Sequence, residues 1–505
     1  MDTTTLVTFF IYMIGMLGIG IYMYYRTSDL SDYVLGGRSL GPAVGALSAG
    51  ASDMSGWLLL GLPGAIYATG FGEVWMAIGL SIGAYLNWQF IAKRLRVYTE
   101  VANDSITIPD FLGNRFNDPY LLRVISALVI LLFFTFYTSS GMVAGSKLFE
   151  ASFGLPYQTA LWIVALVVVA YTFLGGFLAV AWTDFVQGSL MFLTLIVVPI
   201  VAVNKIGGLD EAIQAVGEMN PNNLNMVSGV STMAIISSIA WGLGYFGQPH
   251  IIVRFMALRS KRDVPIAKFI GTSWMVLGLY GAIFTGLMGL AFINTQDVSM
   301  LSAVGIEVVT ENGMDMLDDP EKIFIAFTQI LFHPVVSGIL LAGILSAILS
   351  TIDSQLLVSS SAVAEDFYKA IFRTKASDKE LVWVGRIATL AIAFIAIMIA
   401  MNPESTVLEL VSYAWAGFGA AFGPIILLAL FWRRITRNGA LAGIIVGAIT
   451  VIVWGGILEG GIFDLYEIVP GFLLNTITVI IVSLMEKPPA EVEEVFDEAV
   501  KKAKM

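Results

Sequence analysis

The sequence predicts an all-α polytopic membrane protein with about 13 transmembrane helices, each needing about 20 mainly apolar residues. Three observations carry that prediction. Hydrophobic residues make up 57% of the 505 and charged residues only 13%, about half the charged share of a soluble domain. The apolar runs are continuous and do not alternate, which points to helices and not to a barrel. The 50 glycines suit close helix packing in lipid. The absence of cysteine excludes disulfides, thiolate chemistry and cysteine metal sites. His250 and His333 are too few for a histidine metal cluster. No glycine-rich phosphate loop followed by Lys-Ser/Thr occurs, and no stretch is polar enough for a separate soluble domain. A nucleotide-driven pump, an enzyme and a nucleic-acid binder are therefore disfavoured.

Thirteen stretches qualify as spans: 6–25, 43–69, 73–92, 124–149, 158–180, 185–203, 231–253, 269–294, 335–363, 381–401, 406–431, 439–457 and 467–485. The first has no basic residue before it and no small-residue cleavage site after it, so it reads as a retained span. Alternate loops carry opposite charge. One set holds Arg26 and Arg38, Lys93, Arg94, Arg96, Arg115 and Arg123, then Arg254, Arg259, Lys261, Arg262 and Lys268. It continues with Lys369, Arg373, Lys375, Lys379, Arg433, Arg434, Arg437 and the tail. The other set holds most of the acids, Asp210, Glu211, Glu218, Glu307, Glu311, Asp315, Asp318, Asp319, Glu459 and Asp464, with only Lys147, Lys205 and Lys322 on or near it. The positive-inside rule then expects an N-terminus outside and a C-terminus in the cytoplasm. Residues 319–332 read as an outer surface helix or re-entrant piece, and 486–505 as a short solvated cytoplasmic tail. The acidic loop 297–319 has no assignment.

Two spans look broken. Span two places Ser52, Asp53, Ser55 and Gly56 at its centre. An aspartate at that depth costs about 2.5–3.5 kcal/mol on insertion scales. A nearby cation would offset this, and unwound backbone would expose the carbonyl oxygens that sodium prefers. Span seven holds Gly242, Gly244, Gly247 and Pro249 within a few residues, which opposes a continuous helix. Each broken span opens a block of five, 43–203 and 231–431. Discontinuous spans at matching positions of two halves point to a transporter binding site, and an odd count inverts the second half. In span nine, Ala347, Ser350, Thr351 and Ser354 share one helical stripe, flanked by Asp353. Facing span two, that stripe would complete an all-oxygen cation site.

Plainer readings stand beside these. Membrane serines and threonines more often bond the preceding turn's carbonyl. Gly175 and Gly176 read as packing contacts, and Trp75, Trp88 and Trp162 as interfacial anchors. Asp184 and Asp353 fit a cation contact or a structural ion pair equally. Arg38 reads as a cytoplasmic charge with a possible gating part.

The runs 32–42 (DYVLGGRSLGP), 47–57 (LSAGASDMSGW), 242–250 (GLGYFGQPH), 379–386 (KELVWVGR) and 410–424 (LVSYAWAGFGAAFGP) resemble the solute:sodium symporter family. The resemblance extends over about residues 6–485. It implies a five-plus-five inverted-repeat, leucine-transporter-like core, and import of L-proline with sodium as coupling ion by alternating access. It places sodium at the backbone of Ala51, Met54 and Ala347 and the hydroxyls of Ser350 and Thr351, and associates Asp53 with sodium use. Ser55, Gly56, Trp57, Tyr137, Trp241, Tyr245 and Pro249 would form the substrate site. Asp184 with Asp353 and Ser354 would form a second cation site. Asp353 stands where a small hydroxyl residue is expected; its carboxylate could strengthen such a site, bind a proton or pair elsewhere. The resemblance implies no organic cofactor and no obligate protein partner. Alternatives are a same-fold symporter for another small amino acid or organic solute, a proton-coupled one, a channel, or a transporter-like sensor.

Overall fold

The computed structural model describes residues 3–24, 30–174, 176–311 and 314–504; Arg26 and Gly175 lie outside them. The first half comprises α1 (Thr3–Tyr24), α2 (Leu30–Leu35), α3 (Pro42–Asp53), α4 (Leu62–Thr69), α5 (Val74–Leu86), α6 (Lys93–Val101), α7 (Ile108–Arg115), α8 (Leu121–Phe153), α9 (Tyr157–Leu174), α10 (Phe177–Ile206) and α11 (Leu209–Met219). The second comprises α12 (Thr232–Ala240), α13 (Pro249–Ala257), α14 (Val264–Thr295), α15 (Ser299–Ser302), α16 (Ile323–Ile330), α17 (Pro334–Ser361), α18 (Asp378–Ala400), α19 (Val407–Phe431), α20 (Arg437–Gly456), α21 (Ile468–Met485) and α22 (Ala490–Lys504). Among the described residues, ten helices are long and apolar enough to cross a membrane; Trp57–Thr69, Tyr157–Ala170 and Thr232–Gly247 are shorter apolar helices. The shorter three fall in the expected spans two, five and seven, so the count of 13 is not reproduced by length alone. Span five also ends earlier than expected: Phe177 already opens α10.

Burial separates core from rim. The apolar windows of α17 and α19 are 83% buried and that of α14 78%, against 22% for α1 and 28% for α21. The long α8 and α10 run beside the buried helices, with α3 packed between α10, α13, α14 and α17.

Both expected breaks are present, and each has a local cause. α3 stops at Asp53. Met54 leaves helical geometry with ψ 74, and the Ser55 N–H bonds the Asp53 carbonyl at 2.9 Å. The chain resumes as a π-helical turn at Trp57–Gly61. In the second half, α12 passes into a 3₁₀ segment, Trp241–Gly247, before Gln248 extends and Pro249 opens α13. A Cβ on Gly83 of α5 would collide with the Gly242 carbonyl, and one on Gly244 with the Trp415 indole. These glycines therefore serve close approach as much as the break itself.

Three peripheral segments take form where the sequence left them open or placed them in solvent. The acidic loop folds into an antiparallel hairpin, β1 (Val308–Glu311) with β2 (Met314–Leu317), tied to α4 where the Leu317 N–H donates to the Tyr67 hydroxyl at 3.0 Å. Residues 323–328 of α16 are buried, which agrees with the re-entrant reading of this element and not with the surface-helix one. Ahead of it, Glu321 accepts from Lys147 at 2.7 Å and from the Val407 and Leu408 N–H groups at 3.0 and 3.2 Å. It thereby caps α19 with a carboxylate at the positive end of the helix dipole. The tail is not a free appendage. α22 buries Val492, Phe496 and Ala499 against α6 and pairs Glu493 and Asp497 with Arg433 at 2.9 and 3.0 Å.

Candidate functional site

Four oxygens meet where α3 breaks. The Ser350 hydroxyl lies 2.8 Å from the Ala51 carbonyl and 3.3 Å from that of Ala347. The Thr351 hydroxyl lies 3.3 and 3.2 Å from the same two carbonyls. Each hydroxyl thus makes the ordinary back-bond within α17 and also reaches across to α3. All four residues are buried to within 1%. Oxygen-only surroundings of this kind suit a hard cation, and the non-helical Met54 adjoins them.

Asp53 is brought to the same turn, but its carboxylate faces the other broken span. The Tyr245 hydroxyl donates to it at 2.6 Å, while its second oxygen is buried without a hydrogen-bond partner. It lines a cavity of about 20 Å³ with Asn87, Trp88, Tyr245 and Met275, room for one water or small ion. Asn87 donates its amide to the Tyr245 carbonyl at 2.9 Å, which fixes its own orphaned oxygen as an acceptor. Trp88 is buried and packs on Phe255 with centroids 4.4 Å apart, so it is no interfacial anchor.

The Asp53 carbonyl organises the expected substrate residues. It accepts from the Trp57 indole at 3.1 Å and the Tyr137 hydroxyl at 3.3 Å. Trp57 lies 6.2 Å from Trp241, and Tyr245 meets Trp415 edge-on at 5.1 Å. Gly56 lets the break approach α8 and α17: a Cβ there would sit 2.7 Å from that of Ala144. The Ser55 hydroxyl accepts from the Trp57 N–H at 3.3 Å. Pro249, at the first turn of α13, lines a separate cavity of about 20 Å³ with Ile130, Val253 and Leu357.

The two ends of the site differ. On the acidic side a cavity of about 520 Å³ reaches Trp241, which stacks on Tyr466 at 5.3 Å. On the basic side Arg38 is held at φ +52. Its guanidinium donates to Asp104 and the Met256 and Ser105 carbonyls, each at 2.8 Å. That joins the segment after α2 to α6 and α13.

Asp184, Asp353 and Ser354 are indeed neighbours, but a cation is built in among them. Arg254, expected in a cytoplasmic loop, is fully buried. α13 continues to Ala257, so Arg254 lies one turn beyond His250 and its guanidinium turns inward. It lies 3.4 Å from Asp184 and donates to Ser354 at 2.6 Å, Ser48 at 3.2 Å and the His250 carbonyl at 2.7 Å. Ser48 and Ser52 donate to Asp184 at 2.7 and 3.0 Å. Sequence reasoning missed Arg254, Asn87 and Trp415. The signal for Arg254 was present: apolar residues 251–253 and 255–257 flank it on both sides, and a charge inside an apolar run is intramembrane by default. Nothing comparable marked Asn87.

A family model described as the sodium:solute symporter family matches residues 33–447. The high-affinity proline transporter PutP of Bacillus subtilis (strain 168) is 55% identical over 478 residues, covering 94% of this chain and 97% of that protein. The sodium/proline symporter of Escherichia coli (strain K12) is 51% identical over 500 residues, covering 99% and 96%. Among solved structures, a Na⁺-coupled sialic acid symporter in a substrate-bound outward-open state superposes with a TM-score of 0.78 at 18% identity, covering 96% of this chain and 99% of that one.

Proposed function

This chain belongs to the sodium:solute symporter family, and from that membership we propose that it imports L-proline together with sodium by alternating access. It is a multi-pass membrane transporter and not an enzyme. The observation that carries the reading is the pair of carbonyls and pair of hydroxyls at Ala51, Ala347, Ser350 and Thr351, set one turn from an aromatic cluster.

Sodium on those oxygens, with the Met54 carbonyl added, bridges α3 and α17 and so orders the break in span two. The Asp53 carbonyl, which holds Trp57 and Tyr137, is fixed by the same event. Proline then meets a preformed surface. Trp57, Trp241 and Tyr245 pack on the pyrrolidine ring, and Ser55 and Gly56 supply backbone at the break. The positive N-terminal end of α13 behind Pro249 attracts the carboxylate. The basic face is the cytoplasmic one, which puts the large cavity above Trp241 outside and the Arg38 closure inside. Sodium entering down the membrane potential releases about 2.3 kcal/mol per 100 mV, enough for more than tenfold accumulation.

The substrate assignment is tested by labelled proline uptake at fixed pH with a panel of competing amino acids, with sodium present or replaced by choline. Proline should be the strongest competitor and choline should abolish uptake. Stronger competition by an unrelated amino acid would overturn proline, and persistence in choline would overturn sodium.

A further inference from the structure

We propose that Tyr466, from the loop between α20 and α21, is a positioning residue that fixes the Trp241 indole and thereby sets which solute ring the site accepts. The inference rests on the proline reading above. It adds a residue from beyond 431, where the second expected block of five spans ends. Trp241 opens the 3₁₀ segment at the break in span seven. Hydrogen bonding in such a segment is poorer than in an α-helix, so the orientation of the indole depends on what packs against it. Three rings do so: Trp57 at 6.2 Å, Trp415 at 6.3 Å and Tyr466 at 5.3 Å between centroids. Trp415 also fixes the backbone there, its indole N–H donating to the Trp241 carbonyl at 2.7 Å. The nearest ring is Tyr466, stacked at 28° to the indole.

Tyr466 is itself firmly held. Its hydroxyl donates to the Ser412 carbonyl of α19 at 2.7 Å, and its N–H to the Ser237 hydroxyl of α12 at 3.0 Å. The Trp454 indole of α20 secures the loop, donating to the Leu465 carbonyl at 2.9 Å and meeting Phe463 at 4.8 Å. A tyrosine beside a span end is by default an interfacial anchor. This one is only 9% exposed and gives its hydroxyl to a core helix. Tyr466 and Trp241 also line the 520 Å³ cavity together, so a solute arriving there meets the stacked pair beside the ring cluster. Parallel stacking is favourable beyond the area it buries, which gives the indole one preferred tilt. The space it leaves against Trp57 and Tyr245 then has a set width, suited to a five-membered ring; a six-membered one requires the indole to yield.

The test is competition against labelled proline by its ring homologues, azetidine-2-carboxylate and pipecolate, with KM and kcat for proline measured in proteoliposomes at fixed sodium. Wild type should prefer proline to both. Tyr466→Ala frees the indole, so the proline KM should rise about two- to tenfold with kcat retained. Its preference for proline over pipecolate should fall by a similar factor. Tyr466→Phe keeps the ring, loses only the Ser412 bond, and should restore the wild-type preference. Tyr466→Leu keeps bulk without a π face and carries the alanine prediction should that variant fail to reach the membrane. An active alanine or leucine variant with unchanged KM and preference, a loss confined to kcat, or a phenylalanine variant as relaxed as alanine overturns the proposal. Wild-type uptake inhibited more strongly by an amino acid without a ring overturns the proline reading instead, so the two failures are distinguishable.

Discussion

Asp53 acts through two different groups, and its variants should separate them. Its carbonyl holds Trp57 and Tyr137, while its carboxylate takes the Tyr245 hydroxyl. Asp53→Asn keeps an oxygen for Tyr245 and the whole backbone hub but removes the charge. Sodium half-saturation should rise about tenfold or more with membrane levels intact, the equivalent of about 1.4 kcal/mol. An unchanged sodium titration would strip the charge of its part. Ser350→Ala removes one of two hydroxyls shared by Ala51 and Ala347. A similar loss of sodium affinity, about tenfold for one ligand, should appear with little change in proline affinity at saturating sodium. Asp53, Ser350 and Thr351 were legible because polar groups inside apolar spans are costly and need a reason. Arg254 was not, because a basic residue near an expected span end was grouped with the loop charges that follow it.

At the level of elements, the breaks in spans two and seven were legible from glycine, proline and aspartate, but their geometry was not. Whether a loosened helix becomes a π-helical turn, as at Trp57–Gly61, or a 3₁₀ segment, as at Trp241–Gly247, depends on what packs against it. α5 settles that for span seven: Gly83 lies against the Gly242 backbone so closely that no side chain fits. Gly83→Ala should therefore cost about 1–3 kcal/mol by overpacking and displace the 3₁₀ segment. Loss of proline binding with a lowered melting temperature in detergent is the expected result; normal binding would show that the segment tolerates displacement. The hairpin and the docked α22 escaped the sequence for a related reason. Both are short, mostly polar on one face, and fixed by tertiary partners, Tyr67 in one case and α6 in the other.

At the scale of the whole molecule, a cavity of about 520 Å³ reaches Trp241 from the acidic side. Arg38 bonds Asp104 and the carbonyls of Ser105 and Met256, and the proposed transport cycle gives it the part of an inner closure. Because the native chain has no cysteine, a single Val253→Cys placed in the inner cavity beside Pro249 reports that closure by its reaction with a membrane-impermeant maleimide. In inside-out vesicles, sodium should slow labelling, and Arg38→Ala should speed it several-fold; equal rates would remove Arg38 from gating. The membrane class was legible from composition. The partners of Arg38 were not, since Asp104, Ser105 and Met256 lie far from it in sequence.

The most direct test of the whole account is proline accumulation by the purified protein in sealed proteoliposomes under an imposed inward sodium gradient. The account predicts transient uptake well above equilibrium that collapses when the gradient is dissipated by a sodium ionophore. Uptake that merely equilibrates, or that is the same with the gradient reversed, would contradict it.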